Sequence, residues 1–222
     1  MRDIFEAELH QLGDDLVAMA GRVKRAIETA GDALLGGDLA LAESVIADDL
    51  AIDDLNRELD ERCIRLLAQQ QPVATDLRVI VSALRIASSL ERMGDLARHV
   101  AQVARGRYPE TAVPAPIRDT FAAMDAAAVR VADQVVALLS TRDLAVAEAI
   151  ERDDDLLDEL HGSTFASQLG GEWHGSPQET VDVTLLARYY ERFGDHAVSV
   201  ARRIVYLVTG VAQDDSTERT PA

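Results

Sequence analysis

The sequence predicts an all-α protein: six long helices forming two three-helix bundles related by an internal duplication. Three observations predict it. Apolar residues recur at spacings of three and four over long stretches, the period of one helix face. Strong breakers fall at only a few points between those stretches. Two motifs recur in the same order in both halves of the 222-residue chain. Aromatic residues at 4% and six prolines argue against a β-sandwich or barrel.

The first helix is read over 4–35. Leu9, Leu12, Leu16, Met19, Val23 and Ile27 mark its apolar face, and Gly36-Gly37 closes it. The second runs over 38–70 and stops before Pro72. The third runs over 73–105, with Leu77, Ile80, Leu84 and Ala87 in helical register. The short run Val79-Ile80-Val81 could be a strand, but it lies inside that longer pattern. Gly106, Pro109, Pro114 and Pro116 form the densest cluster of breakers and mark the boundary between halves. The fourth helix is read over 117–140 and the fifth over 143–168. A loop from Gly170 to Pro177 follows, and the sixth helix covers 178–208 before Gly210. Helices of roughly 30 residues are about 45 Å long and pack as antiparallel bundles when short loops join them. The domains are therefore 1–108 and 114–211, with a polar tail, 212–222, expected to be disordered.

The duplication is read from two matches. Gly37-Asp38-Leu39-Ala40-Leu41-Ala42-Glu43 corresponds to Arg142-Asp143-Leu144-Ala145-Val146-Ala147-Glu148, and the match continues from Asp48-Asp49 to Asp153-Asp154. Glu91-Arg92-Met93-Gly94-Asp95 corresponds to Glu191-Arg192-Phe193-Gly194-Asp195. Two matches in the same order, far apart along the chain, imply three helices per half.

Charge narrows the function classes. With 22 Lys+Arg against 39 Asp+Glu the formal net charge is -17. Such a surface repels nucleic acid and anionic lipid, and attracts cations and basic protein patches. The single cysteine, Cys63, rules out an intrachain disulfide and fits a reducing cytosol. The N-terminus turns acidic too early for a signal peptide, and no apolar run approaches the ~18 residues of a membrane helix.

The repeats preserve acids. Asp49/Asp53 lie on the second helix, Glu91/Asp95 on the third, Asp154/Asp158 on the fifth and Glu191/Asp195 on the sixth. Each is an acid-x-x-x-acid pair, and four residues on a helix place both carboxylates on one face, roughly 6 Å apart along the axis. That face is also apolar: on an ideal wheel Ile80 and Leu84 lie within about 20° of Glu91, as Val198 does of Glu191. Two carboxylates at that separation repel by roughly 3 kcal/mol at an effective dielectric near 20. A cation, an arginine or a raised pKa must offset this. Hard divalent or ferric cations suit four carboxylates from a helix pair, with Mg, Mn, Fe or Zn the candidates. The competing reading is a solvated face neutralised by arginines at salt-bridge spacing: Asp53 with Arg57, Asp95 with Arg98, Glu191 with Arg188.

His99, four residues after Asp95, could join the site or be structural. His161 makes one Asp-x-x-His with Asp158, whereas a ferritin-like di-iron site needs two Glu-x-x-His pairs. Cys63 reads as a core residue, and Trp173 and His174 as packing for their glycine-rich loop. The sequence has no phosphate-cradling glycine loop, nucleophile elbow or paired-cysteine zinc motif, so it reads as non-enzymatic.

Three stretches, Gln69-Gln70-Gln71-Pro72-Val73-Ala74-Thr75-Asp76-Leu77-Arg78, Leu90-Glu91-Arg92-Met93-Gly94-Asp95 and Tyr190-Glu191-Arg192-Phe193-Gly194-Asp195-His196-Ala197, together with the repeat, resemble the PhoU family of phosphate-transport regulators over about residues 1–211. The resemblance implies a cytoplasmic, non-enzymatic adaptor. It would link the ATPase subunit of an ABC phosphate importer to a phosphate-sensing histidine kinase, holding the kinase inactive when phosphate is plentiful. It would reach the membrane only through those partners. A homodimer is expected. The family's metal-binding acid motifs map onto Asp49/Asp53, Glu91/Asp95, Asp154/Asp158 and Glu191/Asp195. There are departures: the second half has Ser176-Pro177-Gln178-Glu179-Thr180 where the first has the Gln-Pro-Val-Ala-Thr-Asp-Leu-Arg run, so Asp76 and Arg78 have no twin. The family often carries Asn four residues after the motif Asp; here that place holds His99 or Ser199. The alternative function is a metal-storage or redox bundle, or a metal-dependent hydrolase, on the same scaffold.

Overall fold

The computed structural model describes residues 2–70, 72–171 and 173–211. The tail expectation, 212–222, lies outside the described residues. The elements among the described residues are all helical, with no strand: α1 (Arg2–Gly36), α2 (Leu39–Asp48), α3 (Leu50–Gln70), α4 (Ala74–Arg107), a 3-10 turn (Ala115–Ile117), α5 (Arg118–Thr141), α6 (Leu144–Leu169) and α7 (Pro177–Thr209). Val79–Val81 is helical, inside α4.

The second predicted helix is divided at Asp49. That residue keeps right-handed dihedrals (φ -58, ψ -37) and donates its N–H to Val45 O. Ile52 N–H then reaches Asp49 O at 2.8 Å, a tightened i→i+3 turn that separates α2 from α3. Taken as one interrupted helix, α2/α3 leaves six long helices, three per half.

The repeated Asp38 and Asp143 are helix caps. Asp38 Oδ1 accepts from Ala40 N and Leu41 N, and Asp143 Oδ1 from Ala145 N, satisfying backbone donors that the first helical turn leaves open. Residues just before the caps are left-handed, Gly37 at φ 65 and Arg142 at φ 57. Ser176 and Glu179 form a capping box at α7, with Pro177 at its first turn.

α1, α4, α7 and α5 form a central ring in which each helix packs on the next: α1 on α4, α4 on α7, α7 on α5, α5 on α1. α2/α3 lies outside against α1 and α4, and α6 outside against α5 and α7. The two three-helix units therefore share one core. Met19, Val23 and Ile27 of α1, Leu90 and Met93 of α4, Phe121 and Met124 of α5, and Tyr190 and Phe193 of α7 are all buried in a single cluster. α4 and α7 run antiparallel and are tied at both ends. At one end Arg107 Nε and Nη2 donate to Asp182 Oδ2 and Oδ1 at 2.5 and 3.0 Å. At the other the Arg78 guanidinium lies 5.6 Å from the centre of the Tyr206 ring. So Arg78, without a twin in the repeat, secures the joint between halves. No helix among the described residues is long and apolar enough to cross a membrane.

Candidate functional site

In the first half the four acids face one another across α3 and α4. Asp49 stands at the α2/α3 junction and is 5% exposed. Asp53 follows one turn later in α3, and Glu91 and Asp95 come from the middle of α4. Burial, then the Asp95 charge, pushes the Glu91 carboxyl above its ordinary range; Arg92 opposes this, while Asp53 and Asp49 add to it. Burial also raises Asp49, against the pull of Arg98 and with Asp53 and Asp95 adding to the rise. Glu91 thus feels the other three acids, and Asp49 feels Asp53 and Asp95.

Arginine is the counter-charge. Arg98 Nε lies 2.9 Å from Asp49 Oδ2 and its Nη2 2.5 Å from Asp95 Oδ1, so one guanidinium spans α3 and α4. Arg92 adds Nη1 to Asp95 Oδ2 at 3.0 Å and Nε to Glu91 Oε2 at 3.4 Å. The expected Asp53–Arg57 pair does not form. Arg57 bonds Asp54 Oδ1 at 2.5 Å instead, because both are exposed on the outer face of α3 while Asp53 is half-buried.

The second half repeats the acids, with an arginine placed differently in sequence. Asp154 and Glu191 are buried, Asp195 is half-buried, and Asp158 is exposed. Arg188 Nη1 bonds Glu191 Oε1 at 2.6 Å. The position corresponding to Arg98 is the buried Val198, and that corresponding to Arg188 is Ser88. The guanidinium therefore comes from one turn after the glutamate–aspartate pair in one half and from the turn before it in the other.

Both motifs carry a glycine that sequence reasoning left without a role. A Cβ at Gly94 would sit 3.0 Å from Ile52 Cδ1 and 3.2 Å from its Cγ2. At Gly194 it would overlap the Asp154 carboxylate and lie 3.0 Å from Leu157 Cδ1. The glycine lets the third helix of each half approach the second closely enough for their acids to meet. Its recurrence in Glu-Arg-x-Gly-Asp was the available signal.

Other residues fall outside the carboxylate sets. His99 stacks on Tyr189 (centroids 5.1 Å) and His161 on Phe165 (5.0 Å). Burial, then Arg98, holds His99 below the ordinary histidine value, and burial, then Arg188, does the same for His161. Cys63 is fully buried and its thiol is pushed up to about 11, mainly by burial. Trp173 Nε1 donates to Thr180 Oγ1 at 2.9 Å, closing the loop before α7. Asp125, which no sequence pattern singled out, accepts a hydrogen bond from the fully buried Tyr190 hydroxyl at 3.2 Å.

All-oxygen donor sets suit hard cations by their chemistry. In the geometry described, no three His, Cys, Asp or Glu side chains among the described residues stand close enough together to hold a metal ion. The Arg98 head occupies the space between Asp49 and Asp95, so a cation entering there must displace it.

Comparison with known proteins adds the following. The PhoU domain model matches residues 16–104 and 121–204, one segment in each half. The chain is 42% identical over 210 residues to phosphate-specific transport system accessory protein PhoU homolog 2 of Mycobacterium tuberculosis, covering 95% of this chain and 99% of that protein. It is 42% identical over 217 residues to PhoU homolog 1 of Mycobacterium leprae, covering 98% of each. Its fold matches the crystal structure of PhoU from Pseudomonas aeruginosa with a TM-score of 0.83 at 28% identity, over 93% of this chain and 100% of that one.

Proposed function

The chain belongs to the PhoU family, and from that premise we propose that it is a regulatory accessory protein of a phosphate-transport system, cytoplasmic and without catalysis of its own. Its relatives are named as phosphate-specific transport system accessory proteins. In this reading it is an adaptor, a homodimer, between the importer's ATPase subunit and a phosphate-sensing histidine kinase, and it restrains the kinase when phosphate is abundant. The observation that carries the reading is the duplicated carboxylate face, one on each side of the α4–α7 joint, in a chain of net charge -17. A basic patch on a partner is the electrostatic complement of a surface this acidic, which steers and speeds encounter.

Metal belongs to the same proposal. Asp49, Asp53, Glu91 and Asp95 in the first half, and Asp154, Asp158, Glu191 and Asp195 in the second, would hold divalent or ferric ions. A bound cation would supply the positive charge that Arg98 and Arg188 supply in the structure described. Arg98 then acts as an internal substitute that holds α4 to the α2/α3 junction before metal enters, while Arg188 neutralises Glu191 within α7.

Deletion of the gene tests the adaptor role. Phosphate-uptake genes should stay on in rich phosphate, and the Glu91/Asp95/Glu191/Asp195 quadruple alanine variant separates adaptor from metal. Full repression by a variant that elemental analysis finds metal-free assigns regulation to the fold alone. Unchanged phosphate-gene expression in a deletion strain with no second copy overturns the adaptor and favours metal storage or metal-dependent catalysis. Mass by light scattering checks the dimer.

A further inference from the structure

We propose that the cleft between α1 and the end of α2 binds one small tetrahedral oxyanion, a single phosphate group. The proposal stands on the cleft itself and does not depend on the regulatory reading. The cleft encloses about 140 Å³ and is lined by Arg22, Arg25 and Thr29 of α1 and by Ser44 and Asp48 of α2. Arg22 and Arg25 are three residues apart and share one helix face. Neither makes an ion pair within 4 Å among the described residues, although the chain carries a large excess of acid.

The second half supplies an internal control. Its corresponding residues, by the register that pairs Asp38 with Asp143, are Ala127, Arg130, Gln134, Ala149 and Asp153. There the place is closed. Arg130 Nη2 and Nε bond Asp153 Oδ1 at 2.8 and 3.2 Å, and Gln134 Nε2 donates to Asp153 Oδ2 at 2.8 Å. In the first half Thr29 is shorter than Gln134, Arg25 leaves Asp48 unbridged, and Arg22 replaces an alanine. Two arginines thus line the cleft against one acid, a local positive excess in an acidic protein.

The donors suit phosphate. Guanidinium forks pair with two oxygens of one phosphate, and Arg does this better than Lys because its donors are planar and fixed. Thr29 carries a hydroxyl that can donate a further hydrogen bond. The Ser44 hydroxyl donates to Leu41 O at 2.8 Å and so offers the anion no proton. Asp48 opposes binding by charge. The space takes one phosphate group and is too small for a nucleoside, and the arginines stand at the surface, so the anion enters from solvent. Free inorganic phosphate and the phosphate of a phosphorylated side chain present the same chemistry.

The test is calorimetric titration of the full chain with inorganic phosphate and, separately, with a phosphoserine peptide and its unphosphorylated form, at constant ionic strength in chloride. The expected result is saturable binding of at least one phosphate source at one per chain, with no binding of the unphosphorylated peptide. Arg22→Ala and Arg25→Ala should each weaken it about tenfold, and Asp48→Asn should tighten it. Arg130→Ala should leave it unchanged, and melting curves confirm that these surface variants fold. Whichever source binds identifies the physiological form of the ligand. Absence of saturable binding by both sources overturns the proposal. So does binding that survives the Arg22→Ala, Arg25→Ala double variant, or that falls equally with Arg130→Ala.

Discussion

Asp125→Asn should stabilise the protein at neutral pH and lose that advantage in acid. The Asp125 carboxyl lies between α1, α5 and α7. On α7 the Tyr190 hydroxyl donates to it. On α1 it fills the space a Cβ would take at Gly31, with Asp32 and Glu28 close enough to repel it. Burial is the main cause that pushes its pKa from 3.8 to about 6; the Tyr190 hydrogen bond opposes this, and the Asp32 and Glu28 charges add to it. That rise converts to about 3 kcal/mol. The folded chain holds this proton more tightly than the unfolded chain. The penalty is therefore absent below about 4, grows as pH rises, and is complete above about 6; roughly half of it accrues above pH 5. Asn has the same shape, keeps Gly31 uncrowded and still accepts from Tyr190, but it cannot ionise. For a chain of this size about 2–4 °C accompanies each kcal/mol, so the variant should melt several degrees above the parent at pH 7.5. The difference should shrink steadily towards pH 5. Asp49 and Glu91 are raised in the same direction, so the parent-minus-variant difference, followed by calorimetry across pH 5–7.5, isolates Asp125. A pH-independent difference, or a lower melting temperature for the variant at pH 7.5, would refute the argument.

Two further outcomes follow from the carboxylate sets. Gly194→Ala should destabilise by about 1–3 kcal/mol in denaturant unfolding, because its methyl overlaps the Asp154 carboxylate, and Gly94→Ala should cost less, since its nearest neighbours, Ile52 Cδ1 and Cγ2 at 3.0 and 3.2 Å, are crowded rather than overlapped. Equal costs would show that the two helix pairs approach alike. Arg98→Ala should lower stability by about 1–3 kcal/mol in chelator by removing the counter-charge of the buried Asp49 and leaving Asp95 with Arg92 alone, and Mn²⁺ should restore more of the melting temperature in the variant than in the parent. Identical Mn²⁺ and EDTA curves for both proteins would leave arginine as the site's only counter-ion.

Much of this architecture is written in local order along the chain. Helix periodicity in Leu9–Ile27 or Leu77–Ala87, the breakers at Pro72 and Pro109–Pro116, and the repeated acids are all relations within one element or between identical strings. They survive without tertiary information because a helix face depends only on spacing. The same local physics places Asp49 with Asp53 and Glu91 with Asp95. What it leaves open is which charge answers them. Asp53–Arg57 and Asp95–Arg98 looked equivalent by spacing, but only Arg98 points into the α3–α4 groove, where it reaches Asp49 from a different helix.

The tertiary structure decided everything that joins residues far apart. Arg107 meets Asp182 across 75 positions and Tyr190 meets Asp125 across 65. Neither partner carries a local pattern, and such pairs arise only when α1, α4, α7 and α5 close into a ring. The closure also turned two sequence repeats into one core, gave Gly94 and Gly194 their purpose, and left Arg22 and Arg25 facing a cleft that Arg130 and Asp153 fill in the other half. Duplication copies helices and caps because these are local. It does not copy counter-charges, since each one depends on whatever the opposite helix presents.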